Sequence, residues 1–207
     1  MNPLASPAEI SFSAILDALL DPETEITQQH LFRLSDLEGE DKRKFDKCWP
    51  QVALARRLAL LEEMERLAED NSLLSSEIPC RLSLADADPQ VRFLAVRGLL
   101  PYDPVDLLKQ LTTMLRDDPD ENVRAVCAAN LGRFIYLGEL DEISADKKKH
   151  TVDCLLNTAR HEASEQVRQR ALESLGFTSS SEINRLIEDA SQPGQADWLT
   201  SALFAMG

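Results

Sequence analysis

Aromatic side chains and glycines are scarce in this sequence of 207 residues. Aromatics make up 5% of the chain, and there are seven glycines. Strands favour aromatic and β-branched residues, and no segment alternates apolar and polar residues in the way that a half-buried strand does. We therefore expect no β-structure. Hydrophobic residues still make up 43% of the chain, which is enough to build a core and argues against general disorder.

Positive charge is also in short supply. Lysine and arginine number 22 against 36 aspartates and glutamates, which gives a formal net charge of −14. Such a surface repels phosphate groups, so binding to nucleic acid or to an anionic membrane is disfavoured and a basic partner is favoured. Long apolar runs are missing too, since none approaches the roughly 20 residues of a membrane span. With no signal-peptide pattern at the N-terminus, the expected location is cytoplasmic.

Motifs that would indicate chemistry are absent. The four cysteines, Cys48, Cys80, Cys127 and Cys154, include no CxxC pair, and we expect free, largely buried thiols. The single His-Glu pair, His161-Glu162, supplies too few ligands for a di-iron site. There is no glycine-rich phosphate loop and no nucleophile elbow. We therefore predict no catalytic residue, no metal, no cofactor and no enzymatic activity.

A ten-residue pattern recurs along the second half of the chain. The four copies begin at Val91, Val123, Val167 and Trp198. Counting from zero, positions zero, four, five and eight are apolar or small, and this spacing forms one stripe of an α-helix. A partner helix is predicted before each of the last three copies, over 103–116, 146–160 and 181–190. The small residue at position four allows a neighbouring helix to approach closely.

The turns before these helices also repeat. An acidic residue stands six positions before an arginine in the pairs Asp86 and Arg92, Asp118 and Arg124, and Glu162 and Arg168. Acids at such a turn favour the positive end of the next helix. The arginine is placed to pair with turn acids of its own or a neighbouring repeat. Because the pairs recur regularly, we predict a structural ladder rather than a binding site.

The N-terminal half follows the same plan less regularly. Helices are predicted over 10–20, 24–37 and 49–69, with a polar hinge at 38–44. Regular repeats are predicted over about 75–207, interrupted at 136–149 by an insertion that forms a loop or a short helical extension. No linker rich in Gly, Pro or Ser divides the chain. We therefore predict a single domain, 1–207, of about five to six helix pairs, with the irregular repeats at about 9–70.

The sequence Asp-x-Asp-Pro-x-Val-Arg at 86–92, the sequence Asp-Asp-Pro-Asp-Glu-Asn-Val-Arg at 117–124 and the Ala-rich helices after them resemble HEAT repeats. The resemblance is particularly to the bacterial HEAT-like repeats also found in phycobilin-lyase relatives. It implies an all-α fold, a right-handed α-α superhelix whose second helices line a concave side, and a role in protein recognition. Fold does not fix the ligand, however.

We predict a scaffold that binds a protein or peptide along the concave side. Positions two and six of the second helices, with Arg133 one turn further, define the candidate face: Phe93, Arg97, Ala125, Ala129, Arg133, Gln169 and Glu173. Phe93 is the strongest candidate anchor, because an aromatic side chain facing outward between arginines suits an interface. Two alternatives stay open, a bilin-lyase-like or metal-handling HEAT-repeat enzyme and a regulatory or structural segment of a longer repeat protein. The apolar stripe of 198–207 predicts self-association or further repeats.

Overall fold

The computed structural model describes residues 10–35, 37–71, 73–178 and 181–190, and within these ranges every regular element is a helix. The α-helices are α1 (Phe12–Leu20), α2 (Gln28–Ser35), α3 (Gly39–Cys48), α4 (Leu54–Asp70), α5 (Glu77–Ser83), α6 (Pro89–Gly98), α7 (Leu108–Asp117), α8 (Glu121–Glu139), α9 (Ala145–His161), α10 (Glu165–Leu175) and α11 (Ser181–Ala190). Short 3₁₀ turns lie at Trp49–Gln51, Leu100–Tyr102 and Val105–Leu107. The predicted all-α fold is confirmed.

The chain divides into two compact units, of which the first is Met1–Leu99. In this unit α1 packs on α3, α2 packs on α5, and α6 contacts both α4 and α5. The rings of Phe45 and Trp49 stack with their centroids 5.1 Å apart, and both residues are buried. The remaining core is mostly aliphatic, as the composition predicts.

The second unit is Leu100–Gly207, and α8 is its centre. This helix packs against α7, α9 and α10, while α9 and α10 also pack on each other. Gly132 of α8 faces Ser174 of α10 so closely that an added Cβ would lie 2.8 Å from the Ser174 Cβ. The small positions at the centre of the predicted stripe, Cys127 and Ala171, are fully buried. Small side chains therefore set the distance between the helices here.

One sequence prediction needs correction, and for another the structure shows which of two expected forms is present. The polar hinge expected at 38–44 is wrong, because these residues belong largely to α3. That helix buries only Phe45 and Cys48, so its apolar stripe is too narrow to stand out in the sequence. Of the two forms expected for the insertion at 136–149, a loop or a short helical extension, the structure has the helical one, since α8 extends to Glu139 and α9 begins at Ala145 after a Ser144 cap. The extra length lies in longer helices joined by a short turn.

Two further expectations concern the last repeat and the number of domains. The fourth copy of the repeat and the association expected of it, at 198–207, lie outside the described residues. A single domain spanning 1–207 stays a prediction. No helix in the described ranges is both long and apolar enough to cross a bilayer.

Candidate functional site

The three predicted acid–arginine pairs form a repeated turn. Each arginine donates to the backbone carbonyl oxygen of the acidic residue six positions earlier. Arg92 Nη1 lies 2.9 Å from the Asp86 oxygen, Arg124 Nη1 lies 2.8 Å from the Asp118 oxygen, and Arg168 Nη1 lies 2.8 Å from the Glu162 oxygen. The ladder arginines thus tie each turn to the helix that follows it.

The carboxylates of the same turns also form hydrogen bonds. The side chains of Asp86, Asp118 and Glu162 each accept a hydrogen bond from the backbone amide two residues later, at 2.9–3.1 Å. Glu162 also accepts from Arg124 Nη2 at 2.9 Å, and each of these side chains is 15% exposed. Burial alone would raise the pKa of Glu162, but the bonds from Arg124 and from the Ser164 amide outweigh it and lower the pKa. The sequence spacing allowed an arginine to pair with an acid of its own turn or of a neighbouring repeat, and the bond from Arg124 to Glu162 is of the second kind.

Sequence reasoning missed the corresponding link in the first unit, which is made by Arg57 of α4. Its Nη1 lies 2.6 Å from Asp86 Oδ1, and Trp49 Nε1 donates to the same carboxylate at 2.8 Å. Arg57 precedes Asp86 by 29 residues, whereas Arg124 precedes Glu162 by 38. Because these intervals differ, no fixed period would have identified Arg57. These contacts join α4 to the turn before α6.

The predicted partner-binding face is only partly available at the surface. Phe93, Arg97, Ala129, Arg133, Gln169 and Glu173 are partly exposed. Ala125 is 4% exposed, so its inclusion in the face is corrected, because its side chain lies within the packing around α8. In the first unit the guanidinium of Arg97 lies 5.4 Å from the centre of the Phe93 ring, and its Nε lies 2.8 Å from Glu65 Oε1. Hydrogen bonds to Glu65 raise the pKa of Arg97.

A similar arrangement, larger and more exposed, is present in the second unit. Leu100, Ala129, Arg133, Tyr136 and Phe177 line a cavity of about 350 Å³, and we call these five residues the Arg133 cluster. The Arg133 guanidinium lies 5.0 Å from the centre of the Tyr136 ring. The Phe177 ring meets Tyr136 edge-on, with the centroids 6.2 Å apart and the planes inclined by 70°. Tyr136 is 39% exposed and Phe177 is 47% exposed, so two aromatic rings face solvent at one place.

Asp103 holds the guanidinium of this cluster in place. Arg133 Nε lies 2.7 Å from Asp103 Oδ1, and Nη2 lies 2.9 Å from Oδ2. These two bonds raise the pKa of Arg133. Asp103 has a φ of 46°, in the left-handed region that aspartate tolerates better than most residues. Both bonds to Asp103 use the Nε and Nη2 groups, and among the described residues no hydrogen bond from Nη1 is found.

Two members of the Arg133 cluster belong to the predicted face and three do not. Tyr136 could have been found, since Ala129, Arg133 and Tyr136 follow one another at intervals of four and three residues along a single helix face. Phe177 follows the end of α10, and Leu100 lies before α7. Their approach to α8 depends on packing and has no local pattern in the sequence.

The cysteines show no sign of reactivity. Cys48, Cys80 and Cys127 are buried, and Cys154 is partly exposed. Burial raises the pKa of the Cys80 thiol to about 12 and raises the pKa of Cys127 as well. At neutral pH both remain protonated and are poor nucleophiles. Among the described residues no group of three or more His, Cys, Asp and Glu side chains is placed to hold a metal ion.

Comparison with known proteins identifies the repeats. Residues 79–176 match the family model for HEAT repeats. The fold is similar to a solved structure, the complex of CpcE and CpcF of phycocyanin lyase from Nostoc sp. PCC7120, with a TM-score of 0.59 and 13% sequence identity. The similarity covers 81% of this chain and 99% of that chain. No curated protein sequence matches the chain.

These findings confirm the predicted all-α, HEAT-repeat fold class. They also correct the prediction that the chain is not an enzyme. That prediction rested on the lack of a catalytic motif, yet the similar structure is from a lyase complex, so a HEAT-repeat fold without such a motif does not argue against a part in an enzyme. At 13% identity the similarity establishes the fold alone.

Proposed function

We propose that this chain, in which residues 79–176 form HEAT repeats, is a bilin-lyase-like protein that binds a protein partner and holds a linear tetrapyrrole at the Arg133 cluster. The cluster itself is the observation that carries the proposal. It places two exposed rings, those of Tyr136 and Phe177, and the guanidinium of Arg133 around one open cavity. Scattered surface aromatics would not combine these features.

The chemistry of a linear tetrapyrrole matches this arrangement. Its conjugated rings are flat and apolar, and they gain from contact with aromatic side chains and with Leu100. Its propionate groups are carboxylates, for which a guanidinium is a strong hydrogen-bond donor. Because Asp103 holds the Nε and Nη2 side of Arg133, the guanidinium is already oriented before a ligand arrives. Such preorganisation lowers the entropic cost of binding.

The extent of the fold similarity supports the same proposal. It covers 99% of the matched chain from the phycocyanin lyase complex, so the similarity in fold extends along almost all of that chain. HEAT repeats commonly bind other proteins along the faces of their second helices. The partly exposed residues of the predicted face, Phe93 and Arg97 in the first unit and Gln169 and Glu173 in the second, are proposed to contact the partner. The acidic composition of the chain favours a basic partner.

Titration with biliverdin, a linear tetrapyrrole, tests the proposal. We expect a saturable change in its visible absorbance on adding the protein. The substitution Arg133→Gln and the pair Tyr136→Ser with Phe177→Ser should each raise the Kd about tenfold, since each removes one or two of the contacts on which binding would rest.

Arg116→Gln is the matched control. Arg116 is an exposed arginine of the second unit, which pairs with Asp117 and is no part of the cluster. The Arg116→Gln variant should bind biliverdin with the same Kd as the parent protein. Circular dichroism verifies that each variant keeps its helical content. A parent protein that leaves the biliverdin spectrum unchanged, or cluster variants that bind as tightly as Arg116→Gln, would contradict the proposal.

A further inference from the structure

A second cavity lies in the first unit, and its lining residues differ from those of the Arg133 cluster. Its volume is about 790 Å³, and it is formed by the loop before α2, by α2 itself and by one side of α4. We call it the α4 groove. The lining residues that matter here are Glu23, Glu25, Ile26, Ala55, Ala59 and Glu62. Its size falls within the range that is usual for ligand sites.

The base of the groove is apolar and open. Ala55 and Ala59 follow one another by one turn of α4, and both are exposed. Leu31 and Leu60 are buried beneath, with 1% and 3% exposure, and Ile26 forms part of the wall. Because the two alanines have no bulk, a ligand side chain can reach the apolar surface between the helix and the loop.

The wall opposite α4 is held in place by Arg56. Its Nη1 lies 3.1 Å from the Ala18 oxygen and 2.8 Å from the Thr24 oxygen, and its Nη2 lies 2.8 Å from the Pro22 oxygen. One guanidinium therefore ties the end of α1 and the following loop to α4. The groove is thus formed in advance, and a ligand need not order the loop in order to bind.

The rim of the groove is acidic. Four glutamates line it, Glu23, Glu25, Glu62 and Glu63, against two arginines. Arg66 forms an ion pair with Glu63 at 2.6 Å, and Arg56 is committed to the loop carbonyls. The remaining glutamates give the rim a negative field, which a chain of net charge −14 reinforces. An anionic ligand such as a tetrapyrrole would be repelled here, whereas cationic side chains would be attracted.

We infer that the α4 groove binds a short basic segment of a partner protein, with apolar side chains seated on Ala55 and Ala59 and lysine or arginine side chains beside Glu25 and Glu62. Charge complementarity selects this occupant, and the alanine floor accounts for the apolar component. The inference does not depend on tetrapyrrole binding, because the residues of the groove and of the Arg133 cluster belong to different units.

Fluorescence anisotropy with a labelled peptide in which lysine and leucine alternate tests this inference on the full chain. Glu25→Gln combined with Glu62→Gln should raise the Kd about fivefold, as expected for the loss of two exposed charge pairs. Ala59→Trp should raise it at least about tenfold, because the indole fills the apolar floor. A peptide with glutamate in place of lysine should not bind.

Matched controls separate the groove from general charge attraction. Asp153→Asn with Glu165→Gln removes the same charge from exposed positions of the second unit, and Asn157→Trp adds an indole to an exposed position of α9. Both controls should keep the Kd of the parent protein. The inference is overturned if the control pair weakens binding as much as the groove pair, if Ala59→Trp binds like the parent, or if the parent does not bind the basic peptide.

Discussion

At the scale of single residues, Asp86 joins three parts of the first unit. Its side chain is 1% exposed. The carboxylate accepts hydrogen bonds from Arg57 of α4, from the indole of Trp49 and from the amide of Asp88 at the start of α6. These three donors satisfy the buried carboxylate, and without it the guanidinium of Arg57 would lose its counter-charge.

We predict that Asp86→Ala lowers the free energy of unfolding by about 3–5 kcal/mol, the usual cost of leaving a buried charge without its partner. Arg57, whose side chain is 14% exposed, would keep its charge but lose its carboxylate. Urea denaturation at neutral pH measures the loss. Asp117→Ala provides the comparison, because the pair of Asp117 with Arg116 is exposed and screened by solvent, so its loss should leave the urea midpoint almost unchanged. Equal losses for the two variants would contradict the structural role given to Asp86.

The sequence anticipated which residues take part in these turns but not which atoms they contact. The regular spacing of Asp86 and Arg92 identified a repeated turn correctly. The carboxylate, however, contacts Arg57, and the guanidinium contacts backbone oxygens. The interval between an acid and an arginine in the sequence indicates that both belong to one turn. Which acceptor the guanidinium binds depends on how the helices stack. For the same reason Arg57 could not be recognised in advance.

At the scale of secondary structure, the width of the apolar stripe decides how well a helix can be predicted. The prediction of 146–160 corresponds to α9 at Ala145–His161, and that of 181–190 corresponds to α11. In α3, by contrast, only Phe45 and Cys48 are buried, and the surrounding charges suggested a hinge. Helices that bury a narrow stripe are held by their neighbours more than by their own sequence.

The packing of α8 on α10 yields a prediction at this scale. Gly132→Ala would place a Cβ 2.8 Å from the Cβ and 2.9 Å from the Oγ of Ser174, which itself donates to the Ala128 oxygen at 2.9 Å. The two helices would have to separate. Alanine favours a helix over glycine by about 1 kcal/mol, but overpacking costs about 1–3 kcal/mol, so we expect a net loss of stability.

A double-mutant cycle isolates this contact. Ser174→Gly removes the two closest atoms and leaves the Ser174 Cα at 3.1 Å from the added Cβ. Urea denaturation of the two single variants and of the double variant should show a favourable coupling of about 1 kcal/mol or more. Additive effects would mean that Gly132 does not set the distance between α8 and α10.

At the scale of the whole molecule, charge and repeat pattern could be read from the sequence, whereas the two cavities could not. The acidic composition correctly leads to an acidic rim on the α4 groove, but the groove also needs a loop that Arg56 holds by its carbonyl oxygens. In the Arg133 cluster, Leu100 lies before α7 and Phe177 follows α10. Both cavities are formed by residues distant in sequence, which no local pattern brings together.

The sequence and the two compact units lead to different expectations for the number of units that unfold cooperatively. The absence of a linker predicts one domain over 1–207, whereas the chain forms two compact units with a boundary between Leu99 and Leu100. In a single repeat domain, coupling between neighbouring repeats makes the whole array unfold together. Two independent domains would instead unfold at separate midpoints.

We predict a single transition, and tryptophan fluorescence can test it. The chain has two tryptophans, Trp49 and Trp198, and Trp198 lies outside the described residues. Replacing it in Trp198→Phe leaves the buried Trp49 as the fluorescent reporter of the first unit. Far-UV circular dichroism follows the helices of both units in the same urea titration. The two midpoints should coincide, and adding Asp86→Ala should shift both curves together. If that substitution moves the fluorescence curve and leaves a separate step in the dichroism unchanged, the chain has two domains.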